Sequence, residues 1–535
     1  MFVRFLYAIL RSKGVTMIAQ TQTLAHHGAQ PHPITIETDV FAGLPGITIV
    51  GLPSKSIEES RERIRSAIRN SGLEFPPRKV TINLAPADVA KTGINCDLAI
   101  AVGILIATKQ IENPSTGICF VAELALDGSL RPTQDCLASV LSAKRAGFTT
   151  VVIDPLTDID IPKLDDLTVL RAHTLREVYL HMLGETALQP WKPTQTQPPH
   201  INKRDWSDAG QFHHIRGQLT AKRALQIAAA GRHNLLMIGP PGVGKTLLAH
   251  SLPELLPQAD LEEAKEIYYI HSLAGERPPT PFGARPFRTP HHNASQHALI
   301  GGGSRPRPGE ISLAHRGVLF LDELPEFPRA TLEALRQPIE SGEVHIARTS
   351  MSAVFPAQAL IVAAMNPCPC GHYASSQQAC SCSIPRVQNY QKRISGPLLD
   401  RFDLIVYLEA EPIDVKYTTS HTSTRLVRAQ IKQAITEQSK RFSQLPIKSN
   451  SEIGFKYMQE MVTLAPEAER LLNSLIGQVD INQRSLQRIQ RVARTIADLD
   501  GSKIVHKHHL AEAIHYKERK DFGELQAKSF ALSTT

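Results

Sequence analysis

Gly239-Pro240-Pro241-Gly242-Val243-Gly244-Lys245-Thr246 decides the fold of this chain. The octet has phosphate-loop spacing (Gly, four residues, Gly, Lys, then Ser or Thr) and stands between an apolar run, His233 to Ile238, and a segment of helical spacing. Its glycines let backbone N–H groups curl around phosphate oxygens, and a helix N-terminus behind them adds partial positive charge. Lys245 would reach the terminal phosphates and the Thr246 hydroxyl would ligate Mg²⁺, so ATP with Mg²⁺ is expected across all eight residues. With a strand before and a helix after, a chance glycine turn accounts poorly for the octet.

Two more apolar runs end in polar groups, the pattern of buried parallel strands that deliver side chains to a site at their C-terminal edges. Gly317 to Leu321 leads into Asp322 and Glu323, and Ala359 to Ala364 leads to Asn366. Asp322 would complete the Mg²⁺ shell, Glu323 would polarise an attacking water, and Asn366 would orient that water. Alone, an apolar run before acids is only a strand leaving the core, and an Asn before Pro367 is often a turn residue. Asp322 and Glu323, some eighty residues after a phosphate loop, read as catalytic machinery, with Asn366 further on between the two motifs in space. Leu398-Leu-Asp-Arg401-Phe-Asp403 adds a guanidinium suited to the charge on a transferring phosphoryl group, or else a surface ion pair with Asp400 or Asp403.

The remaining chain is organised around this core. Its 535 residues exceed one compact domain, and 42% hydrophobic with 21% charged residues exclude a disordered or collagen-like chain. No stretch has the length of uncharged apolar residues a membrane span needs. Residues 1–16 read as a frayed tail or as an upstream start before Met17. Residues 17–184 read as a mixed α/β domain, with strands at Ile34 to Ile36, Ile47 to Val50, Val80 to Leu84, Cys119 to Val121 and Thr150 to Ile153, and helices over Ser54 to Ser71 and Leu98 to Ala107. Proline and polar residues mark a linker over 185–211. The ATPase core is expected over 212–410, a helical domain over 411–520 and a tail over 521–535. From residue 411 onward 19 Lys and Arg face 14 Asp and Glu, and the whole chain carries +8, which permits polyanion binding without requiring it.

Of seven cysteines, Cys368, Cys370, Cys380 and Cys382 crowd into fifteen positions. Four soft ligands suit a structural tetrahedral Zn²⁺, with His372 an alternative ligand; a redox pair or reduced structural thiols are the other readings, since Cys-x-Cys is tighter than the usual spacing. With no secretory signal, the reducing cytoplasm is the expected compartment.

The motifs in this order resemble the AAA+ ATPases. Thr289-Pro-His-His-Asn-Ala-Ser295, Ala298-Leu-Ile-Gly-Gly-Gly303, Pro308-Gly-Glu-Ile-Ser-Leu-Ala-His315 and Ser395-Gly-Pro-Leu-Leu-Asp-Arg-Phe-Asp403 look like the Mg-chelatase-like branch. Gly43-Leu-Pro-Gly-Ile-Thr-Ile-Val-Gly-Leu-Pro53 and Val80-Thr-Ile-Asn-Leu-Ala-Pro-Ala-Asp88 are similar to the N-terminal domain of its ComM/YifB family, and coverage runs from about Met17 to about Lys520. The resemblance implies a multidomain α/β chain: a Lon-protease-like (ribosomal S5 domain 2-like) N-terminal domain, a P-loop AAA+ core and a C-terminal helical lid. In the Lon-like nucleophile loop, near Lys91 to Asp97, Asn95 stands in the serine position and no lysine lies near Gln134 to Leu137, so peptidase activity is not expected. Cys96 is nearby but has no evident activating group. The resemblance further implies Arg401 as an arginine finger acting on a neighbour, Arg484 as the second sensor with Arg488 and Arg491 as rivals, and a homo-hexameric ring. It also implies motion along single-stranded or branched DNA, in branch migration during natural transformation. Arg285, Arg288, Arg305, Arg307 and Arg348 would be pore-facing, or would only position loops. A chelatase-type motor acting on a partner protein and a nucleotide-gated scaffold are the alternatives.

Overall fold

The computed structural model describes residues 18–27, 29–53, 55–87, 91, 96–113, 117–133, 136–155, 164, 166–192, 211–279, 281–303, 306–348, 351–373, 375, 378–409, 423–475 and 483–517. Its centre is a five-stranded, wholly parallel sheet in the order Phe287–Arg288, Val318–Leu321, Leu360–Met365, Leu235–Ile238, Leu404–Tyr407. Three of these, Leu-Leu-Met-Ile, Val-Leu-Phe-Leu and Leu-Ile-Val-Ala-Ala-Met, are buried at every residue, as continuous apolar runs covered on both faces must be. The runs expected at His233 to Ile238, Gly317 to Leu321 and Ala359 to Ala364 are thus the three inner strands, which differ only by a residue or two at their ends.

The C-terminal helices Thr424–Arg441, Pro466–Leu475, Gln483–Leu499 and Lys507–His515 share one hydrophobic core with this sheet. Gln483–Leu499 packs on Leu219–Gly231, and His233 fixes the joint: its Nδ1 lies 3.1 Å from Asp403 and its Nε2 2.7 Å from the Thr495 hydroxyl. Ile405 donates its N–H to the carbonyl of Tyr516. Deeper in the helices, Asp498 receives hydrogen bonds from Arg441, Arg494 and Asn450.

In the N-terminal part, the strand Ala19–His27, which the sequence reading missed, pairs antiparallel with Gln30–Phe41; Lys79–Ala85 and then Gly46–Val50 complete that sheet. Alternating burial along Lys79–Ala85 shows one face in the core, where the helix Asp97–Ala107 lies buried over almost its whole length. The expected helices Ser54 to Ser71 and Leu98 to Ala107 are observed as Lys55–Asn70 and Asp97–Ala107. A second sheet joins Ile118–Val121, Thr150–Ile153, Thr168–Arg171 and Gln189–Pro190. The last strand corrects the linker expected from residue 185: Leu188 is buried and Trp191 donates its N–H to Val169, so the chain stays packed through residue 191. Residues 193–210 lie outside the described residues, as do 1–17, 92–95 with Asn95, and 134–135.

The N-terminal part touches the core through the helix Cys136–Arg145, which packs on Leu261–Ala274; Ala138 donates its N–H to the Ser272 hydroxyl and Ser142 donates to Tyr269. No helix among the described residues is long and apolar enough to cross a membrane.

Asp498 is 2% exposed and partners two guanidinium groups. Its removal strands buried positive charge. Asp498→Ala is expected to destabilise the C-terminal helices by about 3–5 kcal/mol, read as a lowered midpoint in urea unfolding followed by circular dichroism.

Candidate functional site

The central strand Leu235–Ile238 ends at Gly239, and the chain turns into the helix Lys245–Leu255. Gly244 caps that helix with φ +91°, a left-handed conformation open to glycine at little strain. The Lys245 ammonium folds back over the loop, donating to the carbonyls of Gly239 (2.7 Å) and Pro240 (2.8 Å) and to Asn366 Oδ1 (3.0 Å). Burial lowers its pKa to about 8, against the opposing pull of Asp322 and Glu323.

The neighbouring strands bring up the remaining groups. Thr246 donates its hydroxyl to Asp322 Oδ2 at 2.9 Å. Two oxygens ligating one Mg²⁺ in adjacent octahedral positions at about 2.0–2.1 Å would lie about 2.9 Å apart, so this hydroxyl and carboxylate fit the ion. Glu323 sits in the left-handed region at φ +51°, uncommon for a non-glycine residue and the kind of strain found at functional turns. Its carboxylate meets His292 Nδ1 at 3.1 Å, a partner missed in the sequence although His292 lies in the Thr289–Ser295 string. Thr246, His291, His292, Asp322 and Glu323 line one cleft of about 300 Å³.

Arg401 lines a different cleft, of about 520 Å³, with Glu340, Arg484, Arg488 and Arg491. It donates to the carbonyls of Arg336 (3.1 Å) and Pro397 (2.6 Å) and pairs with Glu340. Arg484 donates to the same Glu340 at 2.9 Å, so finger and sensor candidates share one carboxylate, a link with no local sequence signal. Of its rivals, Arg488 is buried 3.6 Å from Asp403, and burial lowers the pKa of both Arg488 and Arg491; Arg484 is half exposed. Asp403 is not the surface partner of Arg401 considered above: it is held below the usual carboxylate range, despite burial, by His233 and Arg488.

Two pore-facing expectations fail. Arg285 is 8% exposed and pairs with Glu263 at 2.7 Å while donating to Pro257 and Arg316 carbonyls. Arg288 makes a bidentate pair with Glu310 and a third bond to Glu276. Both arginines position loops, because carboxylates and, for Arg285, backbone carbonyls on neighbouring segments already consume their donors. Arg307 is exposed; Arg305 and the Arg348 side chain lie outside the described residues. Cys96 is fully buried, and burial pushes its thiol up, away from nucleophilic use.

The four clustered cysteines converge: their Sγ atoms all lie within 4.8 Å of one another, and His372 is not in the group.

Phosphate loop, carboxylates and strand order together define a P-loop nucleotide-binding fold of the AAA+ type. Comparisons with known proteins narrow this. The family model described as magnesium chelatase, subunit ChlI, matches residues 211–415; a model for subunit ChlI of Mg-chelatase matches 36–156, and one for the subunit's C-terminal part matches 421–517. YifB of Escherichia coli (strain K12) is 42% identical over 92% of this chain and 96% of its own. Competence protein ComM of Haemophilus influenzae is 39% identical over 94% and 97%. The magnesium-chelatase 38 kDa subunit of Cereibacter sphaeroides is 27% identical over 29% of this chain and 52% of its own. The chain belongs to the Mg-chelatase-like ComM/YifB family.

The lowered Lys245 pKa gives nucleotide binding a pH dependence. Phosphates select the ammonium form, so affinity is expected to be flat below about pH 8 and to fall above it by up to about tenfold per pH unit. Titration with a fluorescent ATP analogue across this range checks the slope, and Lys245→Arg, charged throughout, should flatten it.

Proposed function

We propose that the protein is a ring-forming AAA+ ATPase, a homo-hexamer, that couples ATP hydrolysis to remodelling of single-stranded or branched DNA, with branch migration in recombination during natural transformation as its setting. The observation that carries the ATPase reading is the meeting of Lys245 with Asn366 and of Thr246 with Asp322 at one sheet edge. In this reading the backbone of Gly239 to Thr246 and Lys245 bind the phosphates, and Thr246 and Asp322 would hold Mg²⁺, which would supply charge neutralisation there. Glu323 takes up and orients the attacking water, and His292 holds Glu323 until substrate engages. Asn366 positions the same water. Arg401, with Arg484 beside it, stabilises the transferring phosphoryl of the neighbouring subunit's nucleotide. The core spans 212–410, and the helices of 411–520 serve as its lid. The N-terminal domain carries a Lon-protease-like fold without protease chemistry, consistent with the buried Cys96 thiol.

The DNA reading is supported by the similarity to ComM, a competence protein, by the +8 charge and by exposed Arg307. A second reading, a motor that remodels a partner protein, is favoured by one observation: Arg285 and Arg288 are spent on internal ion pairs.

Three variants test the chemistry. Lys245→Ala should abolish nucleotide binding, Glu323→Gln should bind ATP without turning it over, and Arg401→Ala should assemble yet lose about a thousandfold or more in turnover. Steady-state ATPase without DNA, with single-stranded DNA and with a four-way junction, at two salt concentrations, tests the substrate. Salt-sensitive stimulation by DNA is expected. Active but DNA-indifferent hydrolysis would move the assignment to a protein target.

A further inference from the structure

Asn366 directly follows its strand, and two residues later the chain enters the cysteine loop. The shortest sulfur separations are 3.3 Å (Cys368–Cys370), 3.4 Å (Cys370–Cys380) and 3.7 Å (Cys368–Cys380). None is a disulfide, whose sulfurs stand about 2.05 Å apart. Four sulfurs around one tetrahedral ion at about 2.3 Å would stand about 3.8 Å apart, so the cluster already has the dimensions of a single-ion site. An iron–sulfur cluster would instead spread them around its own inorganic core.

Two further features mark a built site. Backbone N–H groups donate to sulfur, Tyr373 to Cys368 at 3.3 Å and Cys382 to Cys380 at 3.4 Å, which favours thiolates and fixes their direction. Cys368, Tyr373 and Val387 form a small buried floor with the other three cysteines packed against it. That floor is slight for a loop of this length, which is where a metal supplies stability that apolar burial does not.

The loop also lies against the nucleotide site. Gly371 has φ +87°, and a Cβ there would stand 2.5 Å from Pro241 Cδ. Gln391 Nε2 donates to the Pro367 carbonyl at 2.9 Å, pinning the segment between Asn366 and Cys368. The chain therefore meets the phosphate loop twice within six residues, at Asn366 with Lys245 and at Gly371 with Pro241.

We propose that Cys368, Cys370, Cys380 and Cys382 bind one Zn²⁺ in a closed tetrathiolate site that clamps this loop onto the phosphate loop and so holds Asn366 and Pro241 in register for nucleotide. Binding displaces the thiol protons, and four protein ligands leave no position for a reacting water, so the ion is structural. The clamp rests on the reading of Gly239 to Thr246 as the nucleotide site; the zinc site does not.

Full-length protein purified without chelator should carry about one zinc per chain by elemental analysis, and Co²⁺ exchanged into it should show the thiolate charge-transfer and tetrahedral ligand-field bands of a four-sulfur site. Cys370→Ser and Cys380→Ser should lose the metal and weaken binding of a fluorescent ADP analogue by about tenfold. Gly371→Val should keep zinc yet weaken the nucleotide similarly, which separates the clamp from any general loss of folding in the serine variants. Metal-free wild-type protein after growth with zinc supplied, or iron in its place, would overturn the zinc site. Zinc with unchanged nucleotide affinity in Gly371→Val and in the serine variants would overturn the clamp. Zinc-loaded wild-type protein that binds no nucleotide would overturn the clamp together with the ATPase reading, while leaving the metal site standing.

Discussion

The parallel register of the three inner strands, Leu235–Ile238, Leu360–Met365 and Val318–Leu321, is the constraint on which the site depends. Leu235–Ile238 runs between Leu360–Met365 and Leu404–Tyr407, with Val318–Leu321 one strand further out. Their C-terminal ends therefore lie side by side, and Gly239, Asn366 and Asp322 follow them directly. The Lys245 ammonium, with three acceptors from two of these edges, ties the loop to its neighbour. A shift of one residue in any of these strands would separate Thr246 from Asp322 or Lys245 from Asn366.

Around this edge the arginines divide into two kinds. Arg285, Arg288, Arg441 and Arg494 each pair with a carboxylate inside the fold, Arg285 and Arg494 with backbone carbonyls as well, and act as fasteners. Arg401 and Arg484 instead share Glu340, itself exposed, along a cleft separate from the phosphate loop. An exposed carboxylate holding two guanidinium groups is a replaceable partner, because a phosphoryl group carries more charge and better geometry for both. In the proposed ring the two guanidinium groups would exchange Glu340 for the nucleotide of a neighbouring subunit.

How much of this was legible in the sequence follows from where each signal resides. The inner strands were readable because continuous apolar quartets ending in Gly, Asp or Asn are required by two-sided burial and by the chemistry at the edge. The helix Asp97–Ala107 was readable because it is apolar all round. The strand Ala19–His27 was not, since Gln20, Thr21, Gln22 and Thr23 lack the hydrophobicity that marks a strand, and its pairing with Gln30–Phe41 supplies what propensity does not. Within the site, the backbone-defined residues were legible and the side-chain pairings were not. His292 with Glu323 and Glu340 with Arg401 join positions 31 or more residues apart in sequence, without periodicity or composition to reveal them. Arg285 and Arg288 looked like free positive charge for the same reason, their carboxylate partners being visible only in three dimensions.

The central claim is that ATP is hydrolysed at sites completed between subunits, and mixing two inactive variants tests it most directly. Lys245→Ala keeps the finger and loses the phosphate loop; Arg401→Ala does the reverse. Equal mixing before assembly should restore about a quarter of the wild-type ATPase rate, the share of random interfaces that pair an intact loop with an intact finger. A mixture as inactive as its two components, with mixed rings confirmed by differently tagged subunits, would contradict the account.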